Sequence, residues 1–91
     1  MLSIRDCLDY CDLTDDEVHL FAENAHIPDE AAAQILCGMV QTREGVLLLT
    51  EFIQAVIAHA RARGDQPGTR QARQVYNRFV TDHPPSSALF H

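Results

Sequence analysis

Two histidines and a glutamate recur at helical spacing in the first third of the 91-residue chain. On an α-helix, His19, Glu23 and His26 would fall within a stripe about 60° wide. Imidazole and carboxylate groups are ligands that zinc and non-haem iron use, so these residues are a candidate metal site. The histidines would lie about 10 Å apart along the axis, so one ion would need further ligands from elsewhere. The alternative is a solvated flank on which Glu23 forms ordinary helical pairs.

The three cysteines favour packing over chemistry. Cys7 and Cys11 are four positions apart, which places both thiols on one helical face, and Cys37 stands beside Gly38. No C-x-x-C pair is present, and the aspartates near Cys7 and Cys11 disfavour a reactive thiolate. We therefore expect small, buried cysteines. Their odd number, without a secretory context, indicates reduced thiols and a cytoplasmic protein.

Arginine supplies all seven basic residues, and five of them fall within residues 61–82. Arg70, Arg73 and Arg78 lie opposite the apolar stripe of a helix predicted there. Guanidinium groups bind carboxylates or phosphates through paired hydrogen bonds, so this surface is a candidate for partner binding. The alternative is an ordinary solvated face. Aromatic residues that could stack on bases are missing from it, because those of this segment fall on the apolar side.

Opposite charges gather at the two ends of the chain. Residues 1–30 carry nine acidic side chains against Arg5, whereas residues 61–82 carry five arginines against two aspartates. The net charge of −6 and the pI near 5.1 argue against general affinity for nucleic acid or an anionic membrane. The acidic N-terminus is unlike a signal peptide, and no apolar run approaches the length of about 18 residues that a membrane span needs.

Motifs for catalysis and for DNA binding are weak. The chain has no glycine-rich phosphate loop, no G-x-S-x-G and no carboxylate pair in an apolar stretch, so we expect neither an enzyme nor a bound cofactor. The second and third predicted helices could form a helix-turn-helix. The supposed recognition helix would begin with Asp29 and Glu30, which repel phosphate, and Gln34 is its one candidate base reader.

Turn and cap signals predict five helices, over residues 3–11, 14–26, 28–41, 43–63 and 69–83. The second begins with a capping box between Thr14 and Glu17, the fourth stops at Gly64, and Thr69 caps the fifth. Residues 45–49 could instead form a short buried strand, but no other segment could pair with it. The sequence therefore predicts an all-α, single-domain bundle over residues 1–83, with the fourth helix central and an extended tail over residues 84–91.

The helical period also predicts the core. Its expected members are Leu8, Val18, Phe21, Ile35, Leu36, Met39, Phe52, Ile53, Val56, Ile57, Val75, Tyr76 and Phe79.

Several apolar residues fall outside this predicted core. They are Leu20 on the polar side of the second helix, Val46, Leu47 and Leu48 ahead of the stripe of the fourth, and Leu89 and Phe90 in the tail. In a small chain, a second copy or a partner commonly covers such surface. We therefore predict a non-enzymatic protein–protein interaction or regulatory module that self-associates. A helical protein that binds metal or a small ligand through the His19 face is the second interpretation, and a DNA-binding regulator the third.

Overall fold

Four α-helices follow one another in the computed structural model, which describes Leu8 and residues 11–83. They are α1 (Asp15–Ala25), α2 (Asp29–Met39), α3 (Arg43–Ala62) and α4 (Gln66–Asp82). No strand occurs among the described residues, so the all-α prediction is confirmed, and residues 45–49 belong to α3. The expected count of about five helices is slightly too high for this part of the chain. The predicted first helix falls outside it except for Leu8 and Cys11, and so does the predicted tail.

The start of α1 is fixed by the predicted capping box. Thr14 Oγ1 accepts a hydrogen bond from Glu17 N at 3.2 Å, and Glu17 Oε1 accepts one from Thr14 N at 2.7 Å. The helix ends at Ala25 because His26 adopts a left-handed conformation, with φ of 59°. Ile27 N then donates to Ala22 O at 3.1 Å, which satisfies a carbonyl of the last turn.

Helices α3 and α4 form a hairpin around a tight turn. Gly64 has φ of 74°, a left-handed conformation that suits glycine, and Asp65 N donates to Ala60 O at 2.9 Å. The prediction that Thr69 caps α4 is wrong, because Asp65 Oδ1 accepts from Gly68 N at 3.0 Å and the helix begins at Gln66. In the middle of the hairpin, Gln54 Nε2 donates to Tyr76 Oη at 3.1 Å.

The turn between α2 and α3 is closed by a side-chain cap and a close backbone approach. Thr42 Oγ1 accepts from Gly45 N at 3.0 Å, which starts α3. Gly45 is buried against the end of α2, and a Cβ at this position would overlap the carbonyl oxygen of Met39. Glycine is therefore needed at Gly45 for space, although its backbone is helical.

The core agrees in large part with the sequence prediction. Six predicted members are buried, namely Leu8, Val18, Leu36, Ile53, Val75 and Phe79, and Phe21, Met39, Phe52, Ile57 and Tyr76 pack partly buried against them. Val56 is also partly buried. Ile35 was wrongly placed in the core, because it is 45% exposed. The small residues Ala32 and Ala33 of α2 are buried instead.

Cysteines and alanines fill the narrow parts of the core. Cys11 and Cys37 are buried, as predicted, and Cys11 Sγ donates to the main-chain carbonyl of Cys37 at 3.8 Å. Cys7 lies outside the described residues. Ala60 of α3 and Ala72 of α4 are also buried. Short side chains at these positions allow the helices to pack at close range.

Helix α3 is the longest of the four, with 20 residues. By length and composition it meets a criterion for a membrane span, with a mean hydropathy of 1.3 over an 18-residue window of which 33% is buried. One such helix is weak evidence for a span, because the core helix of a bundle passes the same criterion. Here α3 contributes Val46, Leu49 and Ile53 to the core and packs along α4.

Candidate functional site

The structure brings two of the three predicted metal-binding residues together. His19 Nε2 lies 3.3 Å from Glu23 Oε2, one helical turn away, and His19 Nδ1 lies 3.8 Å from Asp29 Oδ2 at the start of α2. His26 has left the helical stripe, because its backbone is left-handed and ends α1. Among the described residues, no group of three or more His, Cys, Asp or Glu side chains could hold a metal ion. The metal site of the second interpretation stays a prediction, and these contacts form a solvated cluster of His19, Glu23 and Asp29.

The arginines of α4 are divided between two surfaces. Arg78 Nε donates to Asp82 Oδ2 at 3.0 Å, and its side chain faces Thr14 and Asp16 of the α1 end. Arg70 and Arg73 line a different depression, at the turn between α3 and α4. The predicted arginine face is therefore two separate surfaces.

Arg70 and Arg73 share a cleft with an arginine that the sequence analysis did not assign to this surface. The cleft has a volume of about 410 Å³ and lies at the turn between α3 and α4. Its charged walls are Arg61 from the last turn of α3, Arg70 and Arg73 from α4, and Asp65 from the turn. Gln66 and Thr69 complete its polar lining. We call this set of residues the arginine cleft.

The three guanidinium groups of the arginine cleft have no carboxylate partner in the part of the chain that the structure describes. Asp65 is already engaged: its Oδ1 accepts from Gly68 N at 3.0 Å, and its Oδ2 pairs with Arg63 at 3.4 Å. The cleft therefore carries an excess of positive charge on a protein whose net charge is −6. A surface of this kind binds anions, because each guanidinium group offers paired donors.

The predicted partner-binding leucines differ in exposure. Leu20 packs partly buried against the core and Leu47 is half-buried, so neither is a free surface residue, and Val46 is buried. Leu48 is 57% exposed. Leu89 and Phe90 lie outside the described residues.

Exposed carboxylates flank Leu48. Glu44 precedes it by four positions and Glu51 follows it by three, so the three side chains project from one face of α3. Both glutamates are exposed. We call Glu44, Leu48 and Glu51 the acidic strip. The sequence analysis noted Leu48 but missed its flanking charges, which the helical spacing alone would have indicated.

A buried carboxylate lies near the end of α4. Glu17 is 4% exposed, and its Oε2 has no hydrogen-bond partner among the described residues. Burial has the largest effect and raises the pKa of Glu17. The two hydrogen bonds with Thr14 lower this pKa, and so does the nearby His83, whereas the carboxylate of Asp82 raises it. The carboxylate borders a cavity of only about 10 Å³, which is at the lower limit for one water molecule. This space is too small for a substrate.

Residues from all four helices, and one from the segment before α1, meet around that cavity. They are Leu13, Glu17, Leu20, Phe21, Leu36, Leu49, Phe52, Ile53 and Phe79. The rings of Phe21 and Phe52 lie 5.0 Å apart at an angle of 53°. Their tilted packing accounts for the partial burial of both rings and leaves no substrate-sized opening beside Glu17.

No protein-family model, curated protein or solved structure matches this chain. The acidic strip and the arginine cleft are therefore the two surfaces from which a function can be inferred.

Proposed function

We propose that the protein is a non-enzymatic protein–protein interaction module that assembles by head-to-tail contact between copies of its own chain. The acidic strip of one copy would bind the arginine cleft of the next. The observation that carries this proposal is the exposed Leu48 between Glu44 and Glu51, on a chain that also presents three arginines without a carboxylate partner among the described residues.

The two surfaces occupy different parts of the α3–α4 hairpin, since the acidic strip runs from the first turn of α3 to its middle and the arginine cleft lies at the turn. Glu44 is in the first turn of α3, whereas Arg61 is in its last turn and Arg70 is in the first half of α4. The hydrogen bond between Gln54 and Tyr76 marks the middle of the hairpin. Among the described residues, no ion pair joins the acidic strip to the arginine cleft of the same chain, so both surfaces are open to another copy.

Charge and apolar contact would act together at this interface. The guanidinium groups would pair with Glu44 and Glu51, while the apolar stems of the arginines would cover Leu48. Complementary charge mainly sets orientation and the rate of encounter, so the contact would weaken as salt rises. A head-to-tail interface leaves one free surface at each end, so assembly would continue beyond a dimer.

Charge reversal provides the test. Glu44→Arg with Glu51→Arg makes one variant, and Arg70→Glu with Arg73→Glu makes the other. We expect light scattering after size exclusion to show concentration-dependent association of the parent protein and a mass near 10.2 kDa for each variant alone. An equimolar mixture of the two variants should associate again, because each then offers the charge that the other lost.

Arg78→Gln is the matched control, because Arg78 lies outside the arginine cleft. It should leave association unchanged. A parent protein that stays near 10.2 kDa at high micromolar concentration would overturn the proposal. So would two variants that associate as the parent does. Association of the parent that neither double substitution weakens would assign self-association to a different surface.

A further inference from the structure

We infer that the arginine cleft is a binding site for a small phosphorylated molecule. The cleft combines three arginines from two helices with the amide of Gln66. Its volume of about 410 Å³ falls within the usual range of small-ligand sites.

The balance of charge favours phosphate over a single carboxylate. Arg61, Arg70 and Arg73 bring three positive charges, and the carboxylate of Asp65 is already bound by Arg63 and by the amide of Gly68. The remaining excess of three positive charges is more than one carboxylate would neutralise, whereas a phosphate monoester brings about −1.5 to −2 near pH 7. Each phosphate oxygen can accept paired donors from a guanidinium group, which a lysine could not supply.

The same cleft is unsuited to a long polyanion. The protein has a net charge of −6, and exposed Asp15, Asp16 and Glu23 on α1 add to this negative field. Nucleic acid binding depends on many phosphate contacts along a basic surface, and Arg78, the further arginine of α4, faces away and pairs with Asp82. A ligand with one or two phosphate groups is therefore favoured.

Phosphate binding would also regulate the proposed assembly. The arginines that would hold a phosphate are also those that would bind Glu44 and Glu51 of a second copy. Phosphate and the second copy would therefore compete for the arginine cleft. This regulatory step depends on the proposed function, whereas phosphate binding does not.

The test uses inorganic pyrophosphate as the probe. The full chain carrying Glu44→Gln and Glu51→Gln serves as the starting protein, because it keeps the arginine cleft and lacks the charges of the acidic strip. We expect pyrophosphate to shift the amide resonance of Gly64, which borders the cleft, and to leave that of the remote Gly38 unchanged. Adding Arg70→Gln and Arg73→Gln should weaken binding by about tenfold or more, because charge-assisted hydrogen bonds are lost.

Adding Arg78→Gln instead provides the control and should change the affinity by less than about twofold. An equal loss of affinity for pyrophosphate in both variants would overturn the inference. So would an amide resonance of Gly64 that pyrophosphate does not shift. A nucleoside monophosphate that binds more tightly than pyrophosphate would indicate that the cleft also holds the organic part of its ligand. A short DNA duplex that binds more tightly than either, through the same arginines, would overturn the assignment to a small molecule.

A separate titration addresses regulation. Pyrophosphate should reduce the mass of the associated parent protein in light scattering. If pyrophosphate binds but the parent never associates, the phosphate site stands and the proposed self-association fails.

Discussion

The imidazole Nε2 of His83 donates a hydrogen bond to the main-chain carbonyl of Cys11 at 2.9 Å, across 72 positions of the chain. The same ring stacks on Phe79, with centroids 4.9 Å apart. Through this contact the C-terminal end of α4 is tied to the segment that precedes α1. Glu17 is buried beside the same junction, since His83 and Asp82 both influence its pKa. Both chain ends of the described bundle are therefore held at one place.

Protonation of Glu17 should affect stability. Because burial raises the pKa of Glu17 above its ordinary value of 4.5, the folded state holds the proton more tightly than the unfolded chain does. The stabilisation from this proton is fully present below about pH 4.5 and is lost as pH rises through the higher value in the folded protein. Glu17→Gln keeps a side chain that suits the capping box and removes the titration. Relative to the parent, the variant should therefore gain unfolding free energy as pH rises from about 4 to about 7.

Urea unfolding at several pH values measures this difference, and Glu51→Gln is the control because Glu51 is exposed. The control should show a much smaller change with pH relative to the parent. If the two glutamine variants behave alike, the buried carboxylate at Glu17 does not govern this part of the pH dependence.

The sequence predicted those features that depend on neighbours in the chain. Thr14, Glu17 and the flanking Leu13 and Val18 form a local pattern, and the structure places the helix start where that pattern indicates. The stop at Gly64 is local in the same sense. Such signals work because a cap involves residues only three or four positions apart.

The arginine cleft depends on packing and could not be predicted in the same way. Helical spacing correctly placed Arg70 and Arg73 on the polar side of α4, but that side is wide enough to include Arg78 as well. The hairpin turn adds Arg61 to the first pair, and Arg78 bonds to Asp82 on another surface. Only the crossing of α3 and α4 decides which arginines share a site.

The start of α4 provides a test of the corrected cap. Asp65 and Thr69 are both residue types that cap helices, and the sequence analysis chose Thr69. Because Asp65 accepts from Gly68 N at 3.0 Å, Asp65→Ala should cost about 0.5–2 kcal/mol of unfolding free energy. Thr69→Ala removes a hydroxyl that donates to the Asp65 carbonyl at 2.7 Å within the helix, and it should cost less. Thermal unfolding of the two variants compares them, and a larger loss for Thr69→Ala would restore the original assignment.

Two isoleucines test the corrected core. Ile53 is 5% exposed, so Ile53→Ala should cost about 2–5 kcal/mol through lost burial and the cavity left behind. Ile35 is 45% exposed, and Ile35→Ala should change stability by only about 0.5 kcal/mol. The helical period could not separate them, because it gives the width of an apolar face but not its centre. Chemical denaturation measures both, and equal losses would contradict the placement of α2.

Two glycines test the close approach between α2 and α3. A Cβ at Gly45 would overlap the Met39 carbonyl oxygen, whereas a Cβ at Gly38 would meet no atom within 4 Å. Gly45→Ala should therefore cost about 1–3 kcal/mol, because the backbone must shift to relieve the overlap. Gly38→Ala places a better helix former at an exposed position of α2 and should add roughly 0.5–1 kcal/mol. In urea unfolding, we expect a lower midpoint for Gly45→Ala and a higher midpoint for Gly38→Ala, with the dependence of unfolding free energy on urea concentration unchanged in both. If Gly45→Ala proves as stable as the parent, α2 and α3 do not meet as closely at this turn as the structure has them.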